Sequence, residues 1–174
     1  MSDTLITIVA ILLAAVLMFI FPLLSVSERS DDISQLSVAS ATAEFVDNSR
    51  SIGKITMDNY TTLISKINAT GNSYDVELEV KVLDENIGKK SAWTQGTVIG
   101  ENVYYSVYTS QIVERLKETG IYTMKEGDII SASVKNTNKT LSQTIRGVFY
   151  SLSGSDVYSI MAQHSGIVTA NGSY

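Results

Sequence analysis

Residues 5–24 read LITIVAILLAAVLMFIFPLL, a run of twenty residues without a charged side chain. An α-helix rises about 1.5 Å per residue, so this run has a length of roughly 30 Å, the thickness of the hydrocarbon core of a bilayer. The sequence therefore predicts a transmembrane anchor over residues 1–24. Leu5 and Leu13 belong to its apolar surface, and Pro22 is expected to loosen its last turns.

The residues on either side of this run indicate whether the run is kept in the mature protein and how it is oriented in the membrane. A cleaved secretory signal has a basic start and a shorter apolar stretch that ends in small residues, whereas residues 1–4 contain an acid and no Lys or Arg. We therefore favour a retained anchor over a cleaved signal. Residues 25–32 carry one basic residue among three acids. We expect a single pass through the cell membrane with the C-terminal domain on the outer side.

The composition excludes several classes of protein. The chain has 174 residues, 44% of them hydrophobic and 18% charged, with a net charge of −5, one histidine and no cysteine. This length allows one domain with its own core, and the missing cysteines exclude disulfides and thiolate-ligated metals. The basic residues are few and dispersed, so nucleic-acid binding through bulk positive charge is excluded as well.

Residues 25–52 continue the anchor as an amphipathic stalk helix, which Gly53 ends. Apolar or small side chains recur there at three- and four-residue steps. The members of this stripe are Ile33, Leu36, Ala39 or Ser40, Ala43, Val46, and Ser49 or Arg50. Small residues let a sheet or another helix come close. We favour packing of the stripe on the chain's own domain over packing between molecules, and Leu36 and Ala43 are its candidate assembly positions.

Residues 53–174 switch between helical and strand patterns and predict an extracytoplasmic α+β domain. Tyr74–Val82 alternates between apolar and polar residues without an error, which indicates a strand with one buried face. The other predicted elements are a helix capped by Thr56, a helix at Ser110–Thr119, a strand at Ile129–Lys135, a helix from the Thr140–Gln143 capping box to Ser153, and a strand at Val157–Val168 with a bend or bulge near Ser165–Gly166. The expected fold is a long N-terminal helix packed on a small, mainly antiparallel sheet with short helices.

A long connection and a tyrosine cluster are the candidate partner-binding features. Residues 84–100 have no clear period and contain the only tryptophan, Trp93, and loops of that length are usually functional or mobile. Tyr104, Tyr105 and Tyr108 follow. These tyrosines form either a stacking platform for a sugar or peptide or, as we favour, part of a core or interface edge.

Few residues suggest catalysis. His164 is the only histidine and lies in the last predicted strand, so a zinc site or a histidine dyad would lack its usual partners. The nucleophile elbow, the phosphate-binding loop, the dinucleotide glycine pattern and the HExxH motif are missing from the sequence. We predict no enzyme activity, no cofactor, no metal, no nucleic acid and no small-molecule substrate.

The overall plan resembles a group of envelope proteins. An apolar N-terminal helix that continues as a small-residue amphipathic helix into a modest sheet domain is similar to type IV pilins, pseudopilins and TadE-like minor pilins. The phrases TAEFVDNSR at 42–50, GKIT at 53–56, ATGNSYDVE at 69–77, GD at 127–128 and VKNT at 134–137 resemble pilin-like envelope proteins of Gram-positive bacteria. The chain has no glycine-ended basic leader and no glutamate at the fifth position of a mature pilin, and the resemblance implies Asp3 in place of that acid.

The resemblance implies a structural subunit of a pilus, secretion or conjugation apparatus. Its partners would be the membrane and other pilin-like subunits or further copies of itself. The alternative is a single-pass accessory protein that binds a component of such a machine through residues 84–100 and the tyrosines. A membrane-tethered hydrolase is a third alternative.

Overall fold

One long helix carries both the apolar run and the stalk. The computed structural model describes residues 2–84, 104–150 and 159–173, and helix α1 runs over Ser2–Ile52. Its 51 residues correspond to a rod of about 75 Å. Pro22 lies inside α1 and the helix continues on both sides of it, so the apolar run and the stalk form one element.

The described part of the chain has an α+β arrangement, as the sequence predicts. After α1 the elements are β1 (Lys54–Thr56), α2 (Met57–Asn68), β2 (Tyr74–Leu83), β3 (Tyr104–Tyr108), α3 (Thr109–Thr119), β4 (Ile121–Thr123), β5 (Ile129–Asn136), α4 (Leu141–Tyr150) and β6 (Met161–Ile167). A four-stranded antiparallel sheet has the spatial order β3-β2-β5-β6. Strands β1 and β4 pair in a separate antiparallel ribbon.

Local predictions that rest on alternation and capping are confirmed. In β2 the side chains of Val76, Leu78 and Val80 are buried, as the alternation requires. The side chain of Thr56 accepts a hydrogen bond from the backbone N–H of Asn59 at 3.1 Å and caps α2. At the start of α4 a reciprocal capping box is formed by two bonds. These join the Thr140 backbone N–H to Gln143 Oε1 at 3.1 Å and the Gln143 backbone N–H to Thr140 Oγ1 at 3.3 Å.

Other predictions of secondary structure differ from the structure. The short strands β1, β3 and β4 were not predicted, because segments of three to five residues show too little periodicity. The predicted bend or bulge near Ser165–Gly166 is wrong, since both residues pair in register with β5. A Cβ atom at Gly166 would lie 2.5 Å from Cδ of Arg50, so the glycine accommodates this side chain. The predicted ends at Ser153 and Val157 lie outside the described residues.

The sheet packs on the stalk half of α1, as expected. Strands β5 and β6 and helix α2 lie against it. Their shared core includes Val38, Phe45, Val46, Ala132 and Val134, all buried. Burying a large apolar side chain contributes about 1.5–3 kcal/mol, so this contact provides much of the stability of the domain.

The face of α1 that meets the domain differs from the predicted stripe. The prediction is wrong for Ile33 and Leu36, whose side chains are 62% and 72% exposed. Val46 and Ser49 of the same stripe are buried, and Ala43 is partly buried. The buried face is rotated around the helix and is largely polar near its start. Its members are Ser27, Asp31, Ser34, Val38, Ala41, Thr42, Phe45, Val46 and Ser49.

Candidate functional site

The first half of α1 presents an apolar surface that the domain does not cover. In the most hydrophobic stretch of this helix none of the residues is buried within the protein. Leu5 and Leu13 are 65% and 59% exposed, and Phe19 is 77% exposed. Asp3 lies in the first turn, where its backbone oxygen accepts a hydrogen bond from Thr7 at 2.8 Å. A continuous apolar surface of this extent marks a site of membrane or protein contact.

A polar junction joins α1 to α4 just beyond the apolar run. Arg146 donates to Glu28 Oε1 from Nη2 at 2.6 Å and from Nε at 3.0 Å. One turn further along α1, the buried carboxylate of Asp31 accepts hydrogen bonds from Thr140 at 2.7 Å and from Ser142. A buried carboxylate is stable only with such donors, so these contacts fix the position of α4 on the helix.

A second polar contact joins α1 to the edge of the main sheet. The Gln35 side chain donates from Nε2 to the backbone oxygen of Met161 at 2.7 Å and accepts from the backbone N–H of the same residue at 2.9 Å. The two bonds satisfy both backbone groups of the first residue of β6. Together with the junction to α4, they hold the stalk and the domain as one body.

The lone histidine belongs to a charged contact at the far end of α1. His164 Nε2 lies 3.6 Å from Asp47 Oδ1, and Arg50 Nε donates to the same oxygen at 2.7 Å. The hydrogen bond from Arg50 lowers the pKa of Asp47, and the charges of Arg50 and His164 act in the same direction. The imidazole therefore faces an ion pair on the surface of the stalk.

The three tyrosines of β3 do not fill the core, so that part of the prediction is wrong, whereas a place at an interface edge stays a prediction. Tyr104, Tyr105 and Tyr108 are 38%, 53% and 59% exposed. Tyr105 lines an open cleft of about 420 Å³ together with Tyr122. Burial, followed by the nearby Tyr105 and Asp128, raises the pKa of Tyr122 to about 12. Trp93 and residues 85–100 lie outside the described residues.

A groove on the exposed side of the stalk was not predicted. Here called the stalk groove, it has a volume of about 500 Å³. It is lined by Val26, Arg29, Ser30, Ile33, Ser34, Ser37, Ala69 and Thr70. Val26 and Ile33 recur with a spacing of seven residues on a face distinct from Asp31 and Val38. This seven-residue spacing is the feature of the sequence from which the groove could have been predicted.

The described residues define an α+β chain built on one helix that is long and apolar enough to cross a membrane. Within residues 2–84, 104–150 and 159–173 no three His, Cys, Asp or Glu side chains are grouped to hold a metal ion. Comparisons with protein-family models, with curated proteins and with solved structures found no match.

Proposed function

We propose that this chain is a membrane-anchored, pilin-like structural subunit of a cell-envelope pilus, secretion or conjugation apparatus. Its domain lies outside the cytoplasm, and it acts by helix packing and assembly rather than catalysis. The observation that supports this proposal is α1, whose apolar first half is bare and whose second half is fixed to the domain.

The bare half of α1 needs a covering. Each large apolar side chain that leaves water gains about 1.5–3 kcal/mol, and the exposed set between Leu5 and Leu23 is large. A bilayer provides that covering before assembly, since the run matches its hydrocarbon thickness. Helices of neighbouring subunits provide it afterwards. Leu5, Leu13 and Pro22 are the positions at which we expect these contacts.

The rigid junction supports a structural role for the domain. Glu28 pairs with Arg146, and Gln35 holds the edge of the sheet. A domain fixed in this way has a defined orientation relative to its anchor. Subunits that are packed through α1 would then present their domains at regular positions, as an assembled surface structure requires.

The test is recovery of the protein from assembled structures. Envelope fractions and sheared surface filaments are analysed after cross-linking, and the mature N-terminus is sequenced from the membrane fraction. We expect the protein in cross-linked complexes with itself or with other subunits, and with the apolar run retained in the membrane fraction. Consistent absence from both filaments and complexes would refute a structural role.

A second candidate function is an accessory protein that binds a component of such a machine. The exposed Tyr105 and Tyr108 favour it, because exposed aromatic side chains are enriched at binding surfaces. Replacement of both tyrosines by Ala should abolish recovery of the partner and leave filaments unchanged. Val107 of the same strand is partly buried and packs against the core, so its replacement is unsuitable as a control. Met161→Ala, an exposed apolar position on the opposite edge strand, is the matched one.

A further inference from the structure

We propose that the stalk groove binds the anionic headgroup of a membrane phospholipid in the leaflet that α1 leaves at Leu24. The inference rests on the membrane anchoring described under the proposed function and adds a ligand to it. The groove is concave, lies beside the apolar run and combines one cation with free hydroxyl groups and apolar walls. These are the features that a phosphate group next to lipid chains requires.

The lower part of the groove lies near the height of the headgroup layer. With residues 5–24 across the hydrocarbon core, Arg29 is five residues further along the helix, about 7–8 Å at 1.5 Å per residue. The interfacial layer extends roughly 5–7 Å beyond the hydrocarbon on each side. An arginine at this height extends its long side chain back toward the layer. The lower end of the groove, at Val26, lies within it.

The polar side chains of the groove are available for a ligand. Arg29 forms no ion pair and no side-chain hydrogen bond with any described residue, and neither do the hydroxyls of Ser30 and Ser37. Ser34, in contrast, donates to the backbone oxygen of Ser30 at 2.9 Å. A guanidinium group binds phosphate through two parallel hydrogen bonds, and the hydroxyl of Ser30, the next residue along the helix, adds a donor. Ser37 lines the far end of the groove, eight residues or about 12 Å further along α1.

The apolar walls favour a lipid over a free anion. Val26 is 68% exposed and borders the groove at the level of the membrane surface, and Ile33, 62% exposed, continues this apolar wall further along the stalk. Glu28 and Asp31, the nearest acids along the helix, are engaged with α4. Asp32 does not line the groove. Arg29 is therefore the charged residue that lines the groove, and its positive charge complements an anionic headgroup.

The same cation argues against a second copy as the occupant. Two parallel copies in one membrane would meet along matching helix faces at equal height. If the stalk groove formed that contact, the guanidinium groups of both Arg29 residues would face each other. Like charges without a counter-ion are unfavourable in a closed interface. A lipid phosphate in the groove instead pairs with the guanidinium group, so no such repulsion arises.

The test uses the full chain in phosphatidylcholine nanodiscs that contain a minor fraction of spin-labelled lipid. We expect labelled phosphatidylglycerol to be motionally restricted more strongly than labelled phosphatidylcholine. Arg29→Gln should lower this preference about fivefold, since one arginine near the surface contributes about 1 kcal/mol. Arg115→Gln, the same change on the remote helix α3, should leave it unaltered.

A second variant separates the groove from bulk charge. Ser30→Trp fills the groove beside Arg29 and keeps the cation, so it should also lower the preference. If Arg29→Gln lowers the preference and Ser30→Trp keeps it, or if wild type shows none, the inference is overturned. Displacement of the restricted lipid by inorganic phosphate would overturn it too, because the site would then be one for free phosphate.

A third variant tests for a second copy. The chain has no cysteine, so Ser37→Cys introduces a single thiol. Efficient disulfide dimerisation in the nanodisc would place a second copy in the groove. That result would overturn the lipid assignment. Co-flotation of the protein with liposomes distinguishes the two proposals. A chain that floats and has no lipid preference contradicts the groove alone, and one that does not float contradicts the membrane anchor as well.

Discussion

The carboxylate of Asp31 accepts a hydrogen bond from Thr140 Oγ1 at 2.7 Å, across 109 positions of sequence. Asp31 is only 7% exposed and lies two turns beyond the apolar run of α1. Ser142 donates to the same oxygen. A polar contact thus holds α4 on the stalk where apolar packing is sparse, and it sets the orientation of the domain relative to the apolar run.

Removal of the Asp31 carboxylate should destabilise the domain. Asp31→Ala leaves the buried hydroxyls of Thr140 and Ser142 without their acceptor, and an unsatisfied buried group costs about 1–3 kcal/mol. Denaturant unfolding of the full chain in detergent micelles measures the loss. Asp32→Ala, the same change at the exposed neighbour, is the control and should stay within about 0.5 kcal/mol of wild type. Equal midpoints for both variants would contradict a supporting role for the junction.

Gly53 ends α1 at a close approach to the C-terminal segment. Its φ is +69°, and a Cβ atom there would lie 2.5 Å from the backbone nitrogen of Gly172 and still closer to the oxygen of Ala170. We expect Gly53→Ala to cost roughly 2–5 kcal/mol, because left-handed strain and overpacking add. Gly71 has a φ of +83° with open space around it, so Gly71→Ala should cost about 1–2 kcal/mol. Thermal unfolding compares the two, and equal losses would show that the contact with the tail is unimportant.

The ion pair at the far end of α1 predicts a pH dependence. The pKa of Asp47 is lowered, first by its hydrogen bond from Arg50. Because the folded-state pKa lies below the unfolded value, the resulting stabilisation is present above the ordinary carboxyl range and is lost as the pH falls through the folded pKa. NMR titration of the Asp47 carboxyl group should show a higher midpoint in Arg50→Gln and no change in Arg115→Gln. An unchanged midpoint in Arg50→Gln would contradict this assignment.

Features that depend on local pattern could be predicted from the sequence. The alternation at Tyr74–Val82 predicted a strand and its buried face, because backbone geometry places successive side chains on opposite sides. Thr56 and the Thr140–Gln143 box predicted two helix starts, because the side chain and the backbone group that it caps are three residues apart. The uncharged run at residues 5–24 and the three- and four-residue spacing that follows it predicted a continuous N-terminal helix, because both patterns are local.

Features that depend on distant partners could not be predicted. The stripe with Ile33 and Leu36 was read from apolar spacing alone, but the domain packs on the face with Asp31, whose donors are on α4. A polar residue can be predicted to be buried only if its hydrogen-bond partners are known, and the sequence does not show which residues those are. The stalk groove was missed for the same reason, since it needs the α2–β2 turn at Ala69 as its second wall.

Substitutions at two exposed leucines of α1 distinguish a side chain that is inserted in the membrane from one that is exposed to water. Leu13 lies near the middle of the apolar run, and Leu36 lies in the stalk beyond it; both are exposed in the folded chain. Lysine at the centre of a membrane helix costs about 2.5–3.5 kcal/mol, so Leu13→Lys should lower the fraction that resists alkaline extraction from membranes. Leu36→Lys should leave this fraction unchanged, because its side chain stays in water. If both variants behave alike, the apolar run does not lie within the bilayer, and α1 is covered by protein from the start.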